Sequence, residues 1–348
     1  MLAFVTLPGL ESFLIGECKR VGVATGEVAD GWVLGAAAAA TQAGPGTLRG
    51  IVDVVWTGPA EQVPQHLPLA RLLRFEGQII NGAARCASVR DTVVRASGGP
   101  ALAGAESPDA VVDMVCIVNR QGVVLIGRPL TWGLERHRPY RVALMARSLN
   151  PAMARAMAMA SRARPGDTLL DPCCGSGTIL AERALLGPCR LVGRDIDPAA
   201  IDAARRTLAA LPAMGPAQRA DAPAGDGPDG PALTTDVRVG DARALDLGDG
   251  SATAVAINLP FGHRMGGVAD NALLYPAALR EAARVLRPRC RLVVLSADRR
   301  HLRLAIEACG AAWRLRSAVR TYLGGLEPTL VVYDRTEAPI PPPDTVES

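Results

Sequence analysis

The chain has 348 residues, of which 49% are hydrophobic, 21% charged and only 3% aromatic, with a formal net charge of +4. That length supports one large or two ordinary domains with sizeable cores, and so mild a charge neither demands nor excludes a nucleic-acid partner. The eight cysteines follow no regular framework and C-x-x-C does not occur, which argues against a secreted disulfide scaffold and against a zinc site.

The N-terminal part mixes short strands and helices. Ala3–Leu7 reads as a strand, and Leu10–Arg20 as a helix with Leu10, Phe13, Leu14 and Cys18 on one face. Gly31–Leu34 and Arg49–Trp56 read as strands, Pro68–Phe75 as a short helix, and Ala110–Val118 with Gly122–Gly127 as a hairpin around Asn119, Arg120 and Gln121. This is an α+β pattern. Ala36–Ala40 is too short an apolar run to span a bilayer, and no basic segment followed by an apolar run marks a signal peptide. A cytoplasmic protein with reduced thiols, no membrane partner and no metal is expected.

From Asn150 the rhythm changes to strand–helix alternation. Helices are expected at Pro151–Arg162, Thr178–Leu186, Pro198–Leu211, Asn271–Leu286 and Arg299–Ala308. Strands are expected at Asp167–Asp171, Arg190–Asp195, Val237–Val239, Ala252–Asn258 and Arg291–Ser296. Such alternation argues an α/β fold with a doubly wound, mostly parallel sheet. Ala213–Asp236, without periodicity, reads as a long surface loop. The expected organisation is an N-terminal region over 1–147, a doubly wound domain over 148–336 and a flexible tail over 337–348.

Asp171-Pro-Cys-Cys-Gly-Ser-Gly-Thr-Ile179 follows an apolar strand and opens a helix. Gly175 and Gly177 allow a tight turn and close approach of a ligand, and the Asp171 carboxylate suits a cationic amine. A dinucleotide fingerprint needs a third glycine where Leu180 stands, so the dehydrogenase reading weakens. Asp195, at the end of the next strand, suits ribose hydroxyls, whereas Asp197 before Pro198 suits a helix cap. Asp241, after the third strand, suits the exocyclic amine of adenine. A nucleoside-like cofactor is expected across Asp171, Cys173, Gly175, Ser176, Gly177, Thr178, Asp195, Ile196, Asp241, Ala242 and Asn258.

The fourth strand ends in Asn258-Leu-Pro-Phe-Gly262. This resembles the (Asn/Asp/Ser)-Pro-Pro-(Tyr/Phe) signature of amino methyltransferases. With Leu259 in second place and Gly262 after the aromatic, it is similar to the motif of THUMP-domain RNA guanine-N2-methyltransferases. Asp171 to Glu182 resembles that family's glycine loop, with Cys173 where the family carries Phe. Pro8-Gly-Leu-Glu11 resembles its opening segment, and Arg138-Pro-Tyr-Arg141 its linker before the catalytic domain. The resemblance implies a seven-stranded Rossmann-like methyltransferase sheet preceded by a smaller THUMP-like domain, S-adenosylmethionine as cofactor, and transfer of a methyl to the N2 amine of a guanosine in RNA, above all tRNA.

That chemistry suits the residues. An exocyclic amine is a poor nucleophile, and acceptors aimed at its hydrogens favour the reactive form. The Asn258 side-chain oxygen and the Leu259 carbonyl supply them, Pro260 stiffens the turn, and Phe261 stacks on a flipped base. Arg136, Arg138, Arg141 and Arg264 are the expected RNA contacts. Arg287, Arg289, Arg291, Arg299, Arg300, Arg303, Arg314, Arg316 and Arg320 read either as phosphate contacts or as a solvated helix face. DNA adenine-N6 or protein glutamine methylation uses a similar motif, and a non-catalytic RNA-binding protein with a vestigial methyltransferase fold is the reading from another class. Oligomeric state is not legible in the sequence.

Overall fold

The computed structural model describes residues 2–7, 9–20, 23–29, 32–35, 53–56, 115–118, 124–129, 138–143, 145, 148–211, 233–261, 268–321, 323 and 326–342. They fall into two compact units, Met1–His137 and Arg138–Ser348. No helix among the described residues is long and apolar enough to cross a membrane.

In the first unit, β1 (Leu2–Val5), β2 (Thr25–Ala29), β3 (Trp32–Gly35), β4 (Asp53–Trp56), β5 (Val115–Val118) and β6 (Val124–Pro129) form a sheet in the order β2-β3-β1-β4-β6-β5. Each neighbouring pair of these strands is antiparallel. Helix α1 (Glu11–Arg20) buries the face that its spacing predicts, with Leu10, Leu14 and Cys18 inside beside Phe4 and Trp32. The expected hairpin forms, with Val118 opposite Val124. The expected helix Pro68–Phe75 lies outside the described residues.

The second unit contains α2 (Pro151–Ser161), β7 (Thr168–Asp171), α3 (Thr178–Ala184), β8 (Arg190–Asp195), α4 (Pro198–Ala209), β9 (Thr234–Val239), β10 (Ala252–Asn258), α5 (Val268–Val285), β11 (Leu286–Ser296), α6 (Arg299–Ala308), β12 (Trp313–Arg320) and β13 (Thr329–Arg335). Its seven-stranded sheet runs β12-β13-β11-β10-β7-β8-β9. Strands β11, β10, β7, β8 and β9 are mutually parallel, and β13 is antiparallel to both neighbours. Central strands covered on both faces need continuous apolar runs. Ala254–Ile257 and Leu292–Leu295 provide them, fully buried.

Caps set the helix starts. Asn150 accepts from the Ala152 amide at 2.9 Å and Pro151 fills the first turn of α2. Asp197 does the same for α4, accepting from Ala199 at 2.9 Å, so its role is the cap. The strand order reverses between β7 and β10, and it is beyond the C-terminal strand ends at such a reversal that doubly wound sheets take their ligands.

Several expectations need correction. Strands β12 and β13 were not anticipated, so Arg314, Arg316 and Arg320 lie on an edge strand and not on a helix. Strand β11 begins at Leu286, where a helix end was expected. Strand β9 takes in Thr234–Asp236, the end of the expected loop. The expected tail is held at its start: Arg335 donates to the Ala338 carbonyl at 2.9 Å, Arg289 pairs with Glu337, and Ile340 packs on the core. The segment from Arg138 belongs to the second unit, ten residues before the expected boundary.

Candidate active site

The glycine loop between β7 and α3 is built on backbone conformations that only glycine adopts freely. Gly175 has φ +51° and Gly177 φ +77°. A Cβ on Gly177 would lie 3.1 Å from that of Ala204, so this glycine lets the loop seat against α4. A Cβ on Gly175 would meet nothing within 4 Å, so the backbone there borders open space. The Cys174 amide donates to the Arg194 carbonyl at 2.9 Å, tying the loop to β8. Ser176 continues a hydroxyl chain, 2.8 Å from Ser148 and 3.5 Å from Thr178.

Three acids stand at successive strand ends. Asp171 is buried, and its Oδ1 accepts the Cys173 amide at 3.2 Å, while Oδ2 is buried without a partner. Burial pushes its carboxyl well above the usual range. The Cys173 amide works against that rise and the charge of Asp195 adds to it. Asp195 accepts the Gly175 amide of the loop at 2.8 Å through one oxygen and the Asp197 amide of its own turn at 3.0 Å through the other. Each carboxylate oxygen keeps a second lone pair, so ribose recognition there shares an acceptor already in use. Asp241 is held by Arg243 in a two-pronged pair with contacts of 2.7 and 3.0 Å. The Arg243 hydrogen bonds keep its carboxyl below the usual carboxylate range. An adenine amine reaching Asp241 would share or displace that arginine, which the motif alone did not reveal. Ile196 is 64% exposed beside Asp195, an apolar surface open to a ligand, and Ala242 is buried.

The surroundings of this loop disfavour the thiolate form of its cysteines. Burial, then the nearby Asp171, Asp195 and Asp241, push Cys173 well up, and burial does the same for Cys174.

At the tip of β10, the Asn258 Oδ1 is buried without a hydrogen-bond partner. Leu259 is fully buried and its amide donates to the Leu295 carbonyl at 3.1 Å, which anchors the turn. Pro260 is exposed and Phe261 half-buried. Two residues that the motif did not disclose hold this turn. The Tyr275 hydroxyl donates to the Pro260 carbonyl at 2.6 Å and lies 2.9 Å from the Ser296 hydroxyl. A buried tyrosine needs such partners, and Tyr275 is fully buried on α5. Helical spacing marks it only as core, so its polar role was not legible. We predict that Tyr275→Phe slows turnover about tenfold and costs about 1 kcal/mol of stability. Thermal melts and steady-state rates check this.

With β7 and β10 in register at Leu170 and Val255, Asn258 stands two residues beyond the level of Asp171. At about 3.3 Å per residue and about 4.8 Å between strands, their Cα atoms are roughly 8 Å apart. Two unpartnered buried acceptors therefore flank the open side of the glycine loop.

The expected RNA contacts divide. Arg136 and Arg264 lie outside the described residues. Arg138 is buried, and its Nε pairs with Glu182 at 3.1 Å, where the Tyr140 hydroxyl also donates at 2.5 Å. It is a structural clasp between the linker and α3, and burial in an ion pair removes it as a phosphate contact. Arg141 is half-buried.

Comparison with known proteins agrees with this architecture. Residues 138–329, more than half of the chain, match the family model UPF0020, RMKL-like, methyltransferase domain. The tRNA (guanine(6)-N(2))-methyltransferase THUMP3 of Bos taurus is 31% identical over 191 residues, covering 54% of this chain and 36% of that protein. The chain thus spans about a third of the length of that curated relative. The tRNA (guanine(10)-N2)-dimethyltransferase of Methanothermobacter thermautotrophicus is 44% identical over 61 residues, 18% of each chain. Among solved structures, TrmN from Thermus thermophilus superposes with a TM-score of 0.61 at 24% identity, covering 96% of this chain and 99% of that one. The glycine loop, the acids at successive strand ends and the Asn258 turn thus sit in a matched catalytic-domain segment, and the chain belongs to the RMKL-like methyltransferase-domain family.

Proposed function

We propose that the protein is an S-adenosylmethionine-dependent methyltransferase acting on the exocyclic N2 amine of a guanosine in RNA, with tRNA as the substrate. One observation carries the reading: Asp171 Oδ2 and Asn258 Oδ1 are buried acceptors without partners, at adjacent strand tips beside a glycine loop that borders open space. A buried acceptor without a partner is costly unless a ligand completes it. The names of the THUMP3 and dimethyltransferase relatives support the choice of amine and of RNA.

The residues fit that cofactor. When bound, S-adenosylmethionine supplies a methyl group on a positively charged sulfur. Asp171 would take its cationic amine, Gly175 and Ser176 would line its approach, Asp195 would take its ribose, and Ile196 with Ala242 and Asp241 would border its adenine. Asn258 Oδ1 accepts a hydrogen of the target amine and holds the nitrogen lone pair toward the crevice. Phe261 stacks on the extruded base and sets its plane. Tyr275 and Ser296 keep the turn rigid, so that positioning supplies much of the rate. At neutral pH Asn258 cannot take the proton that the methylated amine releases, and that proton passes to solvent water on the open side of the turn, where Pro260 is exposed.

Incubation of bulk unmodified tRNA with the protein and labelled cofactor, followed by nucleoside mass spectrometry, tests this. The expected product is N2-methylguanosine. Labelled N6-methyladenine in DNA or methylglutamine in protein, with tRNA unlabelled, would transfer the chain to a different amino substrate. Cofactor binding without any transfer would make it a non-catalytic binder.

A further inference from the structure

Nine arginines of the C-terminal region carry much of its positive charge, and the structure sorts them. Arg289 pairs with Glu337 and Arg303 with Glu307, both at 2.7 Å. Arg314 and Arg316 share Asp334 at 3.1 and 2.8 Å. Arg291 donates to the Ala160 carbonyl and Arg287 to the Gly250 carbonyl. Arg299, Arg300 and Arg320 are exposed, and no acid among the described residues pairs with them. The nearest acid in sequence is already committed. Asp298 accepts from the His301 amide through one oxygen, and from Asn271 through the other, which also contacts the His301 ring.

These three share one edge of the sheet. Strand β12 runs parallel to β11, and Arg320 and Ser296 both stand opposite Thr329 of β13. Asn258 stands opposite Leu295 on the other side of β11. At about 4.8 Å per strand, Arg320 lies roughly 14 Å along the edge from Asn258. Arg299 and Arg300 open α6 three residues after β11 ends. The ion-paired Arg289, by contrast, lies at the opposite, N-terminal end of β11, as does Arg287, which is spent on the Gly250 carbonyl. Two positive charges in a helix's first turn oppose its dipole, and the one acid at that end, the cap Asp298, is spent on His301 and Asn271. Folding alone does not favour the arrangement, whereas a polyanion beside the Asn258 turn does.

We infer that Arg299, Arg300 and Arg320 form a phosphate-binding rim that grips the RNA strand next to the target base. The inference rests on the reading of the Asn258 turn as an RNA-modifying site. The rim supplies affinity and register without sequence information, and its contribution is released by salt. Single-strand geometry suits it, since the target base must leave its stack to reach the turn.

The test uses the full chain and an unmodified tRNA transcript, with affinity measured across a salt series. Replacing all three together (Arg299→Gln, Arg300→Gln, Arg320→Gln) is expected to weaken binding roughly tenfold or more and to flatten the slope of log affinity against log salt by about two to three. Affinity for S-adenosylmethionine stays at the parent value, and the melting temperature is equal to the parent's or slightly higher, since two charges opposing the helix dipole are removed. Replacing the paired Arg289 and Arg303 by Gln leaves the slope as it was. A triple variant with parental affinity and slope, in a protein that still forms N2-methylguanosine, overturns the rim and leaves the proposed reaction standing. A parent protein that neither binds the transcript nor methylates it overturns both.

Discussion

Replacing Asn258 by Ala is expected to lower methyl transfer by about 10²–10³-fold, the range seen when one preorganised polar group is removed from a reacting centre. Cofactor affinity is expected to change only a few-fold. The turn is anchored by Leu259 and by the Tyr275 hydroxyl, neither of which depends on the Asn258 side chain. Its Oδ1 is buried without a partner, so its removal leaves nothing unpaired and costs little stability. A melt within a degree or two of the parent's would show that the lost rate is chemical. Asn258→Asp keeps an acceptor at that place, and the resembled family also carries Asp there. It is expected to retain more activity than Asn258→Ala. Single-turnover rates for the parent and both variants check the ordering. Equal rates for all three would remove Asn258 from the reaction.

Replacing Asp171 by Asn is expected to abolish tight cofactor binding, by about 100-fold or more, because a buried anion facing a cation is lost. The same change is expected to stabilise the ligand-free protein at neutral pH. The folded carboxyl titrates above its unfolded value, so the neutral form is favoured by folding. Its stabilising effect is present below the unfolded value and is lost as pH rises through the folded one. At neutral pH, above the unfolded value, the raised carboxyl therefore costs stability, and Asn, which keeps the acceptor for the Cys173 amide, does not carry that cost. A gain of about 1 kcal/mol would appear as a rise of about 2–4 °C in melting temperature. Cofactor binding draws Asp171 into its ionised form. Affinity in the parent is thus expected to rise with pH through the elevated folded value, with proton release on binding below it. In Asp171→Asn that pH dependence disappears. Calorimetry in buffers of different ionisation enthalpy measures affinity and proton release together.

The parallel part of this fold is legible because its signals are local. The apolar runs before Asp171, Asp195 and Asn258, and the caps Asn150 and Asp197, each fix an element end within a few residues. The hairpin β12–β13 was missed for two different reasons. In β12 the alternation of Trp313, Leu315, Ser317 and Val319 with Arg314, Arg316, Ala318 and Arg320 is a strand period, but its arginines resemble a solvated helix face. Leu330–Tyr333 of β13 is a short buried apolar run, which period alone does not separate from a helix.

The site divides along the same line. Residues within motifs were found, and residues supplied by distant elements were not. Tyr275, Ser296 and Ser148 act through hydrogen bonds that depend on tertiary placement, while Arg243 lies just past its motif and shows its role only through its side-chain conformation. Arg138 shows the converse error. A basic residue in a linker suggests phosphate, yet its partner Glu182 is 44 positions away and closes it into the interior. Burial of its partner, visible only in the fold, decides the role.

The account stands on the convergence of the β7, β8 and β10 tips on one ligand. A crystal structure with S-adenosylhomocysteine tests it most directly. The expected result places the amino group of the ligand against Asp171 Oδ2, its ribose at Asp195, and its sulfur facing the Asn258 side chain across the open crevice. A ligand bound elsewhere, or an Asn258 turned into packed interior with no passage to Gly175, would contradict it.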